Sequence, residues 1–275
     1  MCETGEVRRV SLLVLAACGR LGFSSVAGET TSGDGGTTGD GGSVGDGGSV
    51  ALTGVYLISG DGSGPTAVLS LDLPTGDVAT VGTIASSFGQ LVALAYWDAN
   101  TLYAAGSGHL VEITLSPFSV TNVGAITTDE IVGMMTEGTL LTLVDRTTSE
   151  LLLIDPAALG ATPTTKALGL PITGGDIVGA MFGGSYYFSN SNAELYAVYT
   201  ATGNSAPSVN APSVGTIEGM FSQNVYAQYY MTSSTLDAVI PVDITNGTLG
   251  TAIPLCHPCP GTPYDLLSGD AASAP

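Results

Sequence analysis

Short apolar runs recur along the chain from residue 51 onward, separated by polar and glycine-rich turns. One set of runs ends in turn formers, as in Leu71–Gly76 (LDLPTG) and Val242–Gly247 (VDITNG). Equivalent positions in this set, residues 72, 114, 155, 199 and 243, are spaced by 42, 41, 44 and 44 residues. Proline fixes φ, and glycine and asparagine accept positive φ, so such residues end strands in tight turns. The pattern predicts short β-strands in five repeats of roughly 43 residues.

A second set of runs is apolar on both faces and carries small residues in the middle: Leu91–Tyr96, Ile131–Met135, Ile177–Phe182 and Ile217–Phe221. The innermost strand of a propeller blade is buried on two sides, and the crowded axis favours Gly or Ala there. The first repeat lacks such a run, whereas Tyr264–Leu267 is left over after the fifth. We expect this leftover strand to pair near Tyr56 and to close the ring, which removes open sheet edges.

These patterns predict an all-β fold, a five-bladed β-propeller over residues 51–270 that is closed by a C-terminal strand. The alternative is a two-layer β-sandwich, which needs neither a fixed repeat nor a closing strand. The blade pattern, seen in Leu151–Pro156 (LLLIDP), resembles that of the NHL-like and YVTN-like propellers of secreted bacterial proteins. This degenerate resemblance implies a fold rather than a function, because propellers host many activities.

The N-terminus has the features of an export signal. Arg8 and Arg9 precede a short apolar stretch that ends in Leu15-Ala16-Ala17-Cys18. This tetrad resembles the lipobox of bacterial lipoproteins, which implies a signal peptide over residues 1–17 and a palmitate-type lipid on Cys18. Gly19, rather than Asp, follows the cysteine, so we expect an outer-membrane lipoprotein that faces the periplasm or the cell surface. The alternative is an ordinary signal peptide with a chance cysteine.

Residues 18–50 are predicted to be a lipidated N-terminus and a flexible Gly/Asp-rich linker. The repeats GDGGTT, GDGGSV and GDGGSV place Asp34, Asp40 and Asp46 in register. Calcium-binding β-rolls also use Gly/Asp repeats, but with a nine-residue period and inward apolar residues. A tether is therefore the preferred interpretation. Residues 271–275 are predicted to be a disordered tail.

Charge narrows the possible partners. The chain has 24 acidic residues against five Lys and Arg, a formal net charge of −19. Such a chain repels phosphate backbones, so a nucleic-acid partner is not expected. Outside the N-terminus no apolar run approaches the length of about 20 residues that a membrane-spanning helix needs. We expect a monomer that contacts the membrane through its lipid only.

Aligning the beginnings of the innermost strands predicts an acidic mouth to the central channel, formed by Glu130, Asp176, Glu218 and Asp265. Three interpretations are open. The acids could be solvated loop residues, they could bind Ca²⁺ through hard oxygen ligands, or a carboxyl pair could cleave a glycoside. No other cofactor is expected.

Cys256-His257-Pro258-Cys259 holds the only cysteines beyond the signal and lipid positions. In an oxidising compartment a short disulfide loop is the simplest interpretation. A redox-active CxxC pair and a metal site are the alternatives, although the other histidine, His109, is distant in sequence.

The function predicted from the sequence is a lipid-anchored envelope or surface binding module that engages a protein or glycan through the propeller's loop face. The alternatives are an extracellular glycoside-type hydrolase that uses the acidic mouth and a purely structural envelope lipoprotein. Recognised catalytic motifs of common enzyme classes are missing from the sequence, so no catalytic residue is assigned.

Overall fold

The structure is a computed structural model of the chain. It describes the following residues: 54–126, 131–159, 162–168, 178–182, 185–189, 194–199, 205–210, 217–223, 228–243, 246, 248–267 and 271–273. The predicted signal peptide, Cys18 and the predicted linker lie outside these residues. Within the described part of the chain, one three-residue 3-10 helix, Ser86–Phe88, is the only helix, and no helix there is long and apolar enough to cross a membrane.

The described residues form 21 strands. In chain order they are β1 (Val55–Ser59), β2 (Thr66–Asp72), β3 (Asp77–Ile84), β4 (Ala93–Asp98), β5 (Thr101–Gly106), β6 (His109–Leu115), β7 (Phe118–Ala125), β8 (Ile131–Glu137), β9 (Leu140–Asp145), β10 (Glu150–Ile154), β11 (Thr164–Ala167), β12 (Val178–Phe182), β13 (Ser185–Ser189), β14 (Glu194–Tyr199), β15 (Ser205–Asn210), β16 (Ile217–Gln223), β17 (Gln228–Ser233), β18 (Ala238–Asp243), β19 (Thr248–Leu249), β20 (Ile253–Pro254) and β21 (Ala271–Ser273).

These strands build separate antiparallel sheets. Four sheets each use one consecutive run of strands: β4 to β7, β8 to β11, β12 to β15, and β16 to β19 with β20 beside β18. A further sheet combines both ends of the described chain in the order β21-β1-β2-β3. Each sheet is thus a short meander, which is the arrangement of a β-propeller rather than of two face-packed layers.

The innermost strands lie against one another in a closed cycle. Strand β4 contacts β8, β8 contacts β12, β12 contacts β16, β16 contacts β21, and β21 contacts β4. Small residues recur where these strands meet, at Ala93, Gly133, Gly179 and Gly219. The sequence-based assignment of the innermost strands at β4, β8, β12 and β16 is confirmed to within two residues at each N-terminal end.

The predicted closing strand is wrong in its position. Tyr264–Leu267 forms no strand, and the strand that pairs with β1 is Ala271–Ser273, with Tyr56 opposite Ala272. The prediction of a disordered tail is therefore wrong for residues 271–273. The physical reason lies in the crowding at the axis, where Ala271 and Ala272 are buried in contact with neighbouring innermost strands.

A repeated contact joins neighbouring sheets at the outer rim. The end of one outermost strand meets the beginning of the next, so a Cβ built on Gly82 of β3 would lie 2.4 Å from the ring of Phe118 in β7. Gly124 of β7 similarly faces Leu159, just ahead of β11. Gly76, just before β3, faces the carbonyl oxygen of Pro254 in β20. The last contact places the final sheet beside the first.

The cores lie between adjacent sheets. Leu57 and Leu71 of the composite sheet pack in one cluster with Phe221 and Val239 of the last consecutive sheet. The other side of the composite sheet, with Ile58, packs against the sheet that begins at β4. The chain is therefore stabilised by burial between sheets, which fixes their loops relative to one another.

Candidate functional site

The antiparallel order of each sheet defines two faces. The beginning of the innermost strand and the turn between the second and third strands lie at the same end of a sheet, and we call this end the loop face. Its described segments include residues 60–65, 85–92 and 234–237. Side-chain bonds link such segments, since Ser107 Oγ, in the β5–β6 turn, accepts a hydrogen bond from Gln90 N at 3.0 Å and donates to the Gln90 carbonyl.

The predicted acidic mouth is described only in part, because Glu130 and Asp176 lie outside the described residues. Glu218 lies at the beginning of β16, where a register shift between Ile217 and Gly219 marks a bulge. Its carboxylate is buried and accepts a hydrogen bond from the Ser234 hydroxyl. A bulge at the end of an innermost strand re-aims the side chain it carries.

Asp265 does not join that column. It lies exposed in the segment between β20 and β21, because the strand expected around it does not exist. The predicted alignment of Asp265 with Glu218 on innermost strands is therefore wrong. Among the residues that the structure describes, no three His, Cys, Asp or Glu side chains converge to hold a metal ion, and the Ca²⁺ site stays a prediction.

Residues 255–267, which we call the C-terminal strap, connect the rim of the last consecutive sheet to the loop face of the composite sheet. The Leu266 N–H donates to Asp237 Oδ1 at 2.9 Å, and the Leu267 N–H donates to Ser59 Oγ at 3.0 Å. Burial raises the pKa of the Tyr264 phenol, and a side-chain hydrogen bond with Ser59 opposes this shift. The strap thereby bridges the β17–β18 turn and the end of β1.

Two leucines are exposed where the strap reaches the loop face. Leu236, in the β17–β18 turn, is 50% exposed, and Leu267 is 42% exposed. Their neighbours in sequence, Asp237 and Leu266, are joined by the hydrogen bond described above, so the strap brings the two leucines to the same part of the face. They are the only large apolar side chains that are exposed among the described residues.

Carboxylates accompany these leucines. Asp61, two residues beyond Ser59, is exposed, and hydrogen bonds from the Ser63 hydroxyl and from nearby backbone N–H groups lower the pKa of its carboxyl. Asp265 is exposed on the strap, two residues before Leu267. This part of the loop face therefore combines apolar and negatively charged groups. Neither leucine was singled out by the sequence, because their exposure depends on the path of the strap.

Cys256 and Cys259 lie at disulfide distance, as the sequence predicted, with Cα atoms 5.2 Å apart. The pair lies at the beginning of the strap and on the outer rim, beside Asp77 of β3. The sequence did not indicate this neighbour. His257 Nδ1 lies 3.3 Å from Asp77 Oδ1, a contact between residues 180 positions apart.

Comparisons with known proteins agree with the propeller fold. No protein-family model and no curated protein matches this chain. A chain in the crystal structure of a nidogen/laminin complex is similar with a TM-score of 0.53 and 12% identity, over 80% of this chain and 98% of that chain. Identity this low shows the fold alone.

Two bacterial proteins are similar at lower scores. A protein of unknown function from Bacteroides thetaiotaomicron has a TM-score of 0.48 and 14% identity, over 72% of this chain and 64% of that chain's length. The glutaminyl cyclase of Myxococcus xanthus has a TM-score of 0.47 and 16% identity, over 64% and 79% of the two chains. The sheet order and the nidogen/laminin likeness together define the class of this protein as a β-propeller.

Proposed function

We propose that this protein is a binding module of the bacterial cell envelope whose loop face engages a protein or glycan partner. In this proposal each of the five sheets is one blade of a closed ring. The cycle of contacts among β4, β8, β12, β16 and β21 supports that blade number, as do the repeated rim contacts. A ring of this kind is a rigid scaffold that displays its loops.

The observation that carries the proposal is the exposure of Leu236 and Leu267 beside Asp61 and Asp265 on the loop face. Apolar side chains at an otherwise polar surface are typical of contact sites, where their burial supplies binding free energy. The carboxylates favour a partner with basic or hydroxyl groups and repel anionic ones. The hydrolase alternative needs a pair of carboxyl groups at the predicted mouth. Two of the four acids predicted there, Glu218 and Asp265, are among the described residues, and of these two only Glu218 lies on an innermost strand.

The envelope location is part of the same proposal. Cys18 would carry the lipid and residues 18–50 would hold the propeller away from the membrane, because a Gly-rich chain with like charges is extended. Several acyl chains anchor a protein durably, at ~0.8 kcal/mol per buried methylene. Metabolic labelling with an alkyne-modified palmitate should mark the wild-type protein and leave Cys18→Ser unlabelled. Equal labelling of the wild-type protein and the variant would refute the lipid anchor on Cys18. That result would not bear on the binding face.

A paired-variant capture experiment tests the binding face. Immobilised wild-type protein, Leu236→Ser/Leu267→Ser and a control variant would be exposed to an envelope extract of the source bacterium. The control is Pro74→Ser/Thr139→Ser, which changes exposed turn residues at the opposite ends of their sheets. We expect the leucine variant to retain the main partner about 30-fold less than the other two, on the scale of two contact residues at about 1 kcal/mol each. Equal retention by all three proteins would contradict the proposal.

A further inference from the structure

We propose that the Cys256–Cys259 disulfide is a redox-sensitive clasp that fastens the strap to the first outermost strand and thereby closes the ring at its rim. This closure is separate from the strand pairing of β21 with β1 at the axis. It does not depend on what the loop face binds.

The backbone of Cys256 pairs with the beginning of β3. Its carbonyl accepts a hydrogen bond from Val78 N–H at 3.0 Å, and its N–H donates to the Gly76 carbonyl at 3.1 Å. Cys256 therefore pairs with Asp77 in parallel and, on its other side, with Pro263 in antiparallel fashion. Cys256 is thus hydrogen-bonded to the beginning of β3 on one side and paired on the other side with Pro263, where its own loop returns.

The disulfide lies within a loop whose two arms are joined by backbone hydrogen bonds. The His257 N–H donates to the Thr262 carbonyl at 2.9 Å, and the Tyr264 N–H donates to the Leu255 carbonyl at 3.0 Å. The side chain of His257 lies against that of Asp77. The covalent link across residues 256–259 holds this loop in the conformation that makes all of these contacts, because it removes open conformations of the same segment.

The disulfide lies at the protein surface. Cys256 and Cys259 are half-buried, and the two residues between them, His257 and Pro258, are exposed. A dithiol of an envelope thiol–disulfide oxidoreductase can therefore reach a sulfur atom. One of its thiolates attacks one cysteine sulfur and breaks the Cys256–Cys259 bond, forming a mixed disulfide. Its second thiolate resolves that bond.

The exchange conserves electrons and protons. The two cysteines take up two electrons and two protons and become thiols, while the external dithiol is oxidised to its own disulfide. With the bond open, the loop gains conformations that release Val78 and Gly76. By the loop-entropy relation, a four-residue loop corresponds to an increase of about 20-fold in the equilibrium constant for local opening.

Residue-resolved amide hydrogen exchange on the full chain, with and without dithiothreitol, tests this inference. We expect protection of the Val78 and Cys256 amides to fall about 20-fold on reduction, while amides between β5 and β6, at Leu102 and Ala104, are unchanged. Cys256→Ser/Cys259→Ser should show the lower protection without reductant and no response to dithiothreitol. If this variant does not fold, the wild-type comparison still decides.

Three results would overturn the clasp. The first is unchanged protection of the Val78 and Cys256 amides after reduction. The second is an equal loss of protection in every sheet, which would mean that the bond only contributes to global stability. The third is the labelling of Cys256 and Cys259 as free thiols before any reductant is added.

Discussion

Replacing Gly76 by alanine adds one atom, the Cβ, at the junction between the last sheet and the first. Gly76 has φ of +77°, and a Cβ placed there would lie 2.1 Å from the Pro254 carbonyl oxygen. Gly138, in the β8–β9 turn, offers a matched control. It also has positive φ, +64°, but nothing lies within 4 Å of its added Cβ.

Both substitutions carry the same cost in backbone strain, but only Gly76→Ala adds a cost from overpacking. The left-handed backbone conformation costs an L-residue about 1–2 kcal/mol, and this applies to both variants. At Gly76 the backbone of Pro254 must also move by about an ångström, and overpacking of this kind typically costs a further ~1–3 kcal/mol. We therefore expect Gly76→Ala to be less stable than Gly138→Ala by about 2 kcal/mol, or roughly 4–8 °C in Tm for a domain of this size.

Denaturant unfolding followed by tryptophan fluorescence measures the difference. Trp97 is the only tryptophan of the chain, and its ring packs edge-on against Tyr103 with centroids 5.3 Å apart. Its emission therefore reports unfolding of the sheet that begins at β4, away from the junction at Gly76. If the two variants were equally destabilised, Pro254 would not lie against Gly76, and the ring would not be closed at this rim.

Three further predictions use other parts of the fold. Burial raises the pKa of Tyr56 from 10.0 to about 12. Because the unfolded chain loses this proton at a lower pH than the folded chain, the denaturant midpoint should be constant below pH 10 and should fall as the pH rises towards 12. The fall should be less steep in Tyr56→Phe. Leu57→Ala, at a buried position, should cost about 2–5 kcal/mol in calorimetry, whereas Leu236→Ala at an exposed turn should change stability by less than about 0.5 kcal/mol. Asn100→Ala removes two side-chain bonds to the Ser116 backbone, at 2.8 and 3.1 Å, and should cost about 1–2 kcal/mol in the same assay; no change would mean that water replaces the amide without penalty.

The repeated pattern in the sequence predicted the innermost strands because burial there leaves a local signal. Runs such as Ile217–Phe221 are apolar on both faces and carry a glycine in the middle, and these features depend only on a strand's position near the axis. The disulfide pair was predictable for a similar reason, since its partners are three residues apart.

The closing strand was predicted at the wrong residues, because the repeat spacing and the side-chain size point to different positions. A repeat of about 44 residues points to Tyr264, but the strap inserts extra residues and moves the strand to Ala271. The small side chains of Ala271 and Ala272 satisfy the same requirement as Gly219 in β16, and this was the signal available. The strap contacts, such as that of Leu267 with Ser59, join residues 208 positions apart and leave no local pattern.

Strand β1 has a kinetic consequence. It pairs with β2 on one side as soon as the first turn forms, but its other edge has no partner until the last residues of β21 arrive. During synthesis from the N-terminus, that edge is an open template for pairing with other chains. Contacts this distant in sequence also form slowly. We therefore expect shortened chains that lack Ala271–Ser273 to aggregate, and refolding of the intact protein to lose yield as its concentration rises.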